Sequence, residues 1–204
     1  MQICLATLIA AARAGEVVGF PTDTVPGLGV RPDRAAELYA LKGRTPAKPL
    51  ILLGADAEQL WPYVTGSASD RALWQQLATR HWPGALTLVL PASEQVPAAV
   101  HPRDTSTIGL RVPNSAIARD ILRQAGPLAT SSANRSGQPT LLSLAAIAAE
   151  FPTVPVLAAP VQDETKSQQD SAESSTVPST PSTVVKWTGA SWEVLRQGAV
   201  TIDC

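Results

Sequence analysis

Cysteine is nearly absent. The only two, Cys4 and Cys204, stand at opposite ends of a 204-residue chain, which fits neither a disulfide framework nor the paired spacing of a structural zinc site. A reducing compartment is the expectation. Histidine is as scarce: His81 and His101 stand apart, no His-x-x-x-His pair occurs and no Asp or Glu cluster offers a metal cage. Long apolar runs are missing too, since 50–53 and 86–90 fall far short of the ~20 residues that span a bilayer. Residues 4–14 lack the basic start and small-residue cleavage site of a secretory signal, so a cytoplasmic protein is expected. Sixteen basic against seventeen acidic residues leave a formal charge of −1, which excludes bulk electrostatic attraction to nucleic acid. There is no Gly-x-x-x-x-Gly-Lys-Ser/Thr, no Gly-x-Gly-x-x-Gly and no Gly-x-Ser-x-Gly, hence no P-loop, dinucleotide fingerprint or nucleophile elbow.

What remains is a chain 45% hydrophobic, long enough for one substantial core and read as a single domain over 1–204. Strand and helix patterns alternate. Leu5, Leu8, Ile9 and Ala12 recur at helical spacing before Gly15, and a short strand over 17–20 runs into the proline-bounded loop 21–27. Asp33 is placed to cap a helix that Gly43 ends, followed by strands over 50–53, 86–90 and 107–112, with a helix over 69–80 among them. A helix from Asn114, a strand over 128–130, a polar loop over 131–137, a helix from Ser143 and a strand near 154–157 follow. Residues 183–187 and 192–196 should pair across a turn. Residues 162–180 are almost all polar and predict a mobile loop, because they bury too little apolar area to offset chain ordering. This is an α/β pattern.

Three polar loops follow strand or helix ends, where ligands gather in open α/β sheets. Thr22 and Thr24 flank Asp23; they either order the turn through local bonds or face a site. Lys42, Arg44 and Lys48 bring cations onto a segment stiffened by glycine and proline, which suits a triphosphate, although taken alone a solvated basic loop is the commoner reading. Ser131, Ser132 and Asn134 ahead of Gly137 offer phosphate donors or an ordinary turn. Arg111 ends an apolar strand, where a buried guanidinium needs either a ligand carboxylate or an internal acid.

Together, Phe20-Pro21-Thr22-Asp23-Thr24-Val25-Pro26-Gly27-Leu28-Gly29, Lys42-Gly43-Arg44, Lys48-Pro49-Leu50, Trp82-Pro83-Gly84, Arg111-Val112-Pro113, Ser132-Ala133-Asn134-Arg135-Ser136-Gly137 and Pro181-Ser182-Thr183-Val184-Val185 resemble the YrdC/TsaC family of threonylcarbamoyl-AMP synthases, in the family's order and over nearly the whole chain. The resemblance implies an α/β fold with a twisted open mixed sheet and flanking helices around a concave pocket, and a reaction of L-threonine, bicarbonate and ATP giving threonylcarbamoyl-AMP and pyrophosphate. A transferase complex would pass the group to the adenosine beside the anticodon of ANN-decoding tRNAs, with a transient tRNA contact to this chain left open. Matched position by position, Lys42, Arg44, Lys48, Thr107, Ser132, Asn134, Thr140 and Arg196 fall to ATP, with Lys42, Arg44 and Lys48 as the catalytic cations. Thr24, Arg111, Thr130 and Ser182 fall to threonine. Magnesium is expected to arrive with the nucleotide phosphates rather than in a protein site.

The chain departs from the family at Pro26, where Tyr is usual, at Leu53, where a polar residue such as His often lines the threonine site, and at Lys186, which replaces a frequent acid. These positions bear on amino-acid selectivity more than on adenylation. The polar stretch before Ser182 is unusual as well, and as a lid it would close over the pocket. Two alternatives stay open: an RNA-binding or ribosome-assembly module using the 42–48 loop on phosphate backbone, and a carbamoyl-adenylate former acting on another acceptor.

Overall fold

The computed structural model describes residues 1–43, 45, 49–158 and 180–202. Arg44, Lys48, Cys204 and all but the last residue of the expected 162–180 lid lie outside the described residues. In chain order the elements are β1 (Gln2–Ile3), α1 (Leu5–Ala14), β2 (Val18–Phe20), β3 (Gly27–Val30), α2 (Ala35–Lys42), β4 (Ile51–Leu53), α3 (Ala68–His81), β5 (Leu86–Pro91), β6 (Thr107–Arg111), α4 (Ala116–Ala125), β7 (Leu128–Ser132), α5 (Leu144–Glu150), β8 (Val156–Leu157), β9 (Thr183–Trp187) and β10 (Trp192–Arg196). The ten strands form one sheet in the order β1-β8-β2-β3-β7-β4-β6-β5-β9-β10. It is mixed: β4–β6 and β5–β9 run parallel, while β3–β7, β4–β7, β5–β6 and the terminal hairpin β9–β10 run antiparallel.

Helix ends follow their local chemistry. Ser67 caps α3 in a reciprocal pair, its hydroxyl taking the Asp70 N–H while the Asp70 carboxylate takes the Ser67 N–H. Ser115 and Ser143 cap α4 and α5 in the simpler way. Asp33 differs from its expected role: it lies in a single 3₁₀ turn, Pro32–Arg34, and its carboxylate takes Arg31 at 2.8 Å instead of capping α2. A bidentate guanidinium two residues away outcompetes the backbone. Gly43 ends α2 with φ +56°, the left-handed conformation that favours glycine.

The sheet's two faces differ. Side chains alternate along each strand, and Leu52, Leu88, Leu110, Ala129 and Val185 point to one face, where they are buried with Leu38 and Trp74 of α2 and α3. On the opposite face α1 and α4 pack on each other and on Val18, Phe20, Leu53 and Leu128. Among the described residues they leave uncovered a stretch of that face running from β3 across β7, β4, β6 and β5 to β9. Its residues are mainly short or polar: Gly27, Ile51, Thr87, Arg111, Thr130, Ser132 and Val184. A sheet face without a helix above it, walled by loops, is a concavity.

Candidate functional site

That concavity is a cavity of about 370 Å³. Eight of the twelve residues matched to ATP or threonine line it: Thr24, Lys42, Arg111, Thr130, Ser132, Asn134, Ser182 and Arg196. Thr107 and Thr140 are not among its lining residues. Thr107 lies two residues before Gly109, whose register partner is Ile51, so it shares the cavity's face and stands level with Ser132, across the entry to β4. Thr140 follows the turn that leaves β7 and is half-buried.

Arg111 is buried, its side chain 5% exposed. It donates through Nε to the Gly84 carbonyl at 2.9 Å, through Nη1 to Thr24 Oγ1 at 2.9 Å and through Nη2 to Asp23 Oδ1 at 2.6 Å. Of the two neutralisations open to it, the internal acid is present. Burial lowers the Arg111 pKa, the Asp23 carboxylate raises it, and Arg196 nearby lowers it further. Thr22 and Thr24 both order their turn and face the cavity: Thr22 Oγ1 accepts the Thr24 N–H at 3.1 Å and donates to the Val25 carbonyl at 2.9 Å.

Lys42, at the last turn of α2, is only 2% exposed. Its Nζ donates to Ser131 Oγ at 2.7 Å and to the Ser132 carbonyl, while its own carbonyl accepts the Ser136 N–H at 3.1 Å. The end of α2 is thereby pinned to the end of β7. Ser131 and Ser132 belong to β7 and pair with Leu28 and Gly27 of β3, whereas their composition predicts a loop; an antiparallel neighbour that the sequence does not announce extends the strand. Ser132 Oγ donates to Asn134 Oδ1 at 2.7 Å, and Asn134 Nδ2 donates to the Arg135 and Gln138 carbonyls at 2.9 and 2.8 Å. The Asn134 amide is thus spent on its own turn, which Gly137 completes at φ +82°.

At the far wall, Arg196 donates to the Ser182 carbonyl through Nη2 at 2.8 Å and Nε at 3.2 Å. Burial lowers its pKa, and it makes no ion pair among the described residues. Ser182 Oγ lies 2.9 Å from Thr87 Oγ1. Thr87 is a lining residue that the sequence did not single out; its signal was only a threonine interrupting the apolar run 86–90. Ile51, Leu53 and Val184 supply an aliphatic patch on the floor. Pro26 is not among the lining residues; its carbonyl accepts the Ala133 N–H at 3.2 Å. Among the described residues no group of three or more His, Cys, Asp or Glu side chains could hold a metal, and none forms a helix long and apolar enough to cross a membrane. A second concavity, about 390 Å³ between Trp61 and Trp82, contains one cation, Arg119, tied to the Ala55 carbonyl.

Three converging cations, of which Arg196 makes no ion pair among the described residues, over hydroxyls and a small aliphatic floor define an α/β protein built to hold an anionic ligand with a compact apolar part. Residues 10–198 match the Sua5/YciO/YrdC family, described as "Telomere recombination". The chain belongs to that family.

Among its relatives, the threonylcarbamoyl-AMP synthase of Bacillus subtilis strain 168 is 42% identical over 143 residues, 67% of this chain and 40% of that protein. The Chromohalobacter salexigens enzyme of the same name is 37% identical over 151 residues, 72% of this chain and 80% of that one. The Sua5 structure of P. abyssi complexed with L-threonine superposes with a TM-score of 0.79 at 30% identity, covering 97% of this chain and 56% of the other. The chain therefore spans well under two thirds of the Bacillus and P. abyssi proteins. E. coli YciO, at 21% identity and a TM-score of 0.74, shares the fold.

Proposed function

We propose that this chain is an L-threonylcarbamoyladenylate synthase, forming threonylcarbamoyl-AMP and pyrophosphate from L-threonine, bicarbonate and ATP. The observation that carries the proposal is the convergence of Lys42, Arg111 and Arg196, from distant parts of the chain, on one cavity. A walled cavity suits small charged substrates better than an RNA backbone, which needs an open basic track. The relatives' shared name supplies the reaction, and the threonine complex of P. abyssi Sua5 supplies the amino acid.

In this scheme the threonine amine and bicarbonate condense to a carbamate with loss of water. A carbamate oxygen then attacks the α-phosphorus, the bond to the bridging oxygen breaks and pyrophosphate departs with the electron pair. The protein contributes position and charge neutralisation. Thr24, Arg111, Thr130 and Ser182 surround the amino acid, with the N–H groups of Arg111 that Gly84, Thr24 and Asp23 do not use turned to its carboxylate. Lys42, Ser132 and Arg196 hold phosphates together with Arg44 and Lys48; Asn134 shapes the loop, and Thr107 and Thr140 border the nucleotide. The walls keep the carbamate from bulk water.

Asp23, a carboxylate beside the site, is committed to Arg111, so magnesium would be carried by nucleotide phosphate oxygens, where it would offset their charge. The product's consumer would be a threonylcarbamoyl transferase complex acting on ANN-decoding tRNAs, in the cytoplasm.

Pyrophosphate release tests the proposal. The protein with ATP, bicarbonate and each amino acid in turn should release it with threonine; release without threonine would point to another acceptor, and none at all to a non-enzymatic module. Arg44→Ala and Arg196→Ala should each weaken nucleotide binding by about 2 kcal/mol, roughly 30-fold. Unchanged ATP affinity in both variants would move the nucleotide elsewhere.

A further inference from the structure

Thr87 is 1% exposed, and its hydroxyl has a single hydrogen-bond partner among the described residues, Ser182 Oγ at 2.9 Å. Ser182 stands directly before β9, beside β5, where Thr87 and Val184 are register partners. The Ser182 backbone is fixed from behind. Thr183 Oγ1 accepts the N–H groups of Gly198 and Val200 at 3.0 and 3.1 Å, and the Pro181 carbonyl accepts the Ala199 N–H at 3.0 Å. In front, Arg196 grips the Ser182 carbonyl with two N–H groups and reaches its hydroxyl from Nη2 at 3.3 Å. With the main chain fixed, what remains to be set at Ser182 is the direction of its hydroxyl, and Thr87 is the group placed to set it.

A buried hydroxyl is satisfied only by its partner. When Thr87 donates to Ser182 Oγ, and Arg196 does likewise, the Ser182 proton has no acceptor left among the described residues and points into the cavity. A ligand oxygen that takes this proton polarises the chain of bonds behind it and fixes the group on which Arg196 rests. We infer that Thr87 is a positioning residue that, through Ser182, couples the amino-acid subsite to Arg196 at the nucleotide, so that each ligand orders the wall the other needs. This rests on the function proposed above, which puts Ser182 at the amino acid and Arg196 at the phosphates. The ordering done by the first ligand is not repeated for the second, which gives positive cooperativity without a large movement. Coupling of this kind is reciprocal and commonly amounts to a factor of about 5 to 150.

The test is a calorimetric cycle on the full chain. L-threonine is titrated with and without an ATP analogue carrying a methylene between the α and β phosphates, and the analogue with and without threonine. The wild type should show each ligand tightening the other by the same factor, about 5-fold or more. Thr87→Val should bind each ligand alone yet bring the factor close to 1, and Thr87→Ser, which restores the hydroxyl, should recover it. Thermal melts verify that the variants fold; should Thr87→Val not fold, Ser182→Ala breaks the same link from the other side. Wild-type coupling in a folded Thr87→Val or Ser182→Ala protein would overturn the inference, as would independent binding in the wild type. A wild type that binds no threonine at all would overturn instead the proposed function, and this inference with it.

Discussion

Asp23 and Arg111 form a buried ion pair at 2.6 Å, with side chains 14% and 5% exposed. The pair joins the loop after β2 to the end of β6, and it neutralises a guanidinium that lines the cavity. Removing one partner of such a pair strands a charge in a poorly solvated place. Asp23→Asn should therefore destabilise the fold by about 3 kcal/mol, read from urea denaturation midpoints, and should lower threonine affinity as Arg111 loses its orientation. A midpoint within experimental error of the wild type would show that solvent reaches the guanidinium.

The aliphatic floor of Ile51, Leu53 and Val184 should read the amino acid's methyl group. One methyl in an apolar pocket discriminates by about 10- to 200-fold, so serine should support pyrophosphate release with kcat/KM lower than threonine within that range. Leu53→Ala should narrow the gap. Equal use of serine and threonine by the wild type would show that the floor does not touch the side chain.

Gly198 approaches the chain before β9 so closely that a Cβ there would lie 2.3 Å from the Pro181 carbonyl oxygen and 2.4 Å from the Ser182 carbonyl carbon. Both obstacles are backbone and cannot rotate away. Gly198→Ala should cost about 1–3 kcal/mol of stability and depress activity by displacing Ser182. Denaturation and pyrophosphate assays measure the two effects separately, and a variant of wild-type stability and activity would contradict the contact.

Cys4 Sγ lies 3.2 Å from Thr7 Oγ1, and the hydrogen bonds offered by Thr7 lower the thiol's pKa from its ordinary value of 9.0. A lowered pKa places the thiolate at lower pH. In a Cys204→Ser background the pH midpoint of iodoacetamide labelling should fall below 9.0 and rise again in Thr7→Val. An identical midpoint in both proteins would dispose of the hydrogen bond.

The sequence carried those parts of the structure that have a local cause. Helices α1, α3, α4 and α5, with their glycine and serine ends, and the β9–β10 hairpin follow from periodicity and capping over a few residues. Strand β3 was not legible, because Gly27-Leu28-Gly29-Val30 gives two glycines where alternation is sought; it is a strand because β2 and β7 pair with it on both sides. Ser131 and Ser132 are strand for the same reason. In the cavity, motif residues were recognisable one at a time, yet Asp23's commitment to Arg111 and Thr87's to Ser182 depend on chain segments 88 and 95 residues apart. No local pattern reports contacts of that separation.

The last wall of the cavity comes from residues 181–196, which supply Ser182, Val184 and Arg196. Strand β9 enters the sheet beside β5, far earlier in the chain. The Asp23–Arg111 pair and the Lys42 clasp use no residue of that segment, so without it the chamber would gape on one side. Closure of the chamber therefore falls to the terminal hairpin, and a chain truncated before Ser182 would leave that side unwalled.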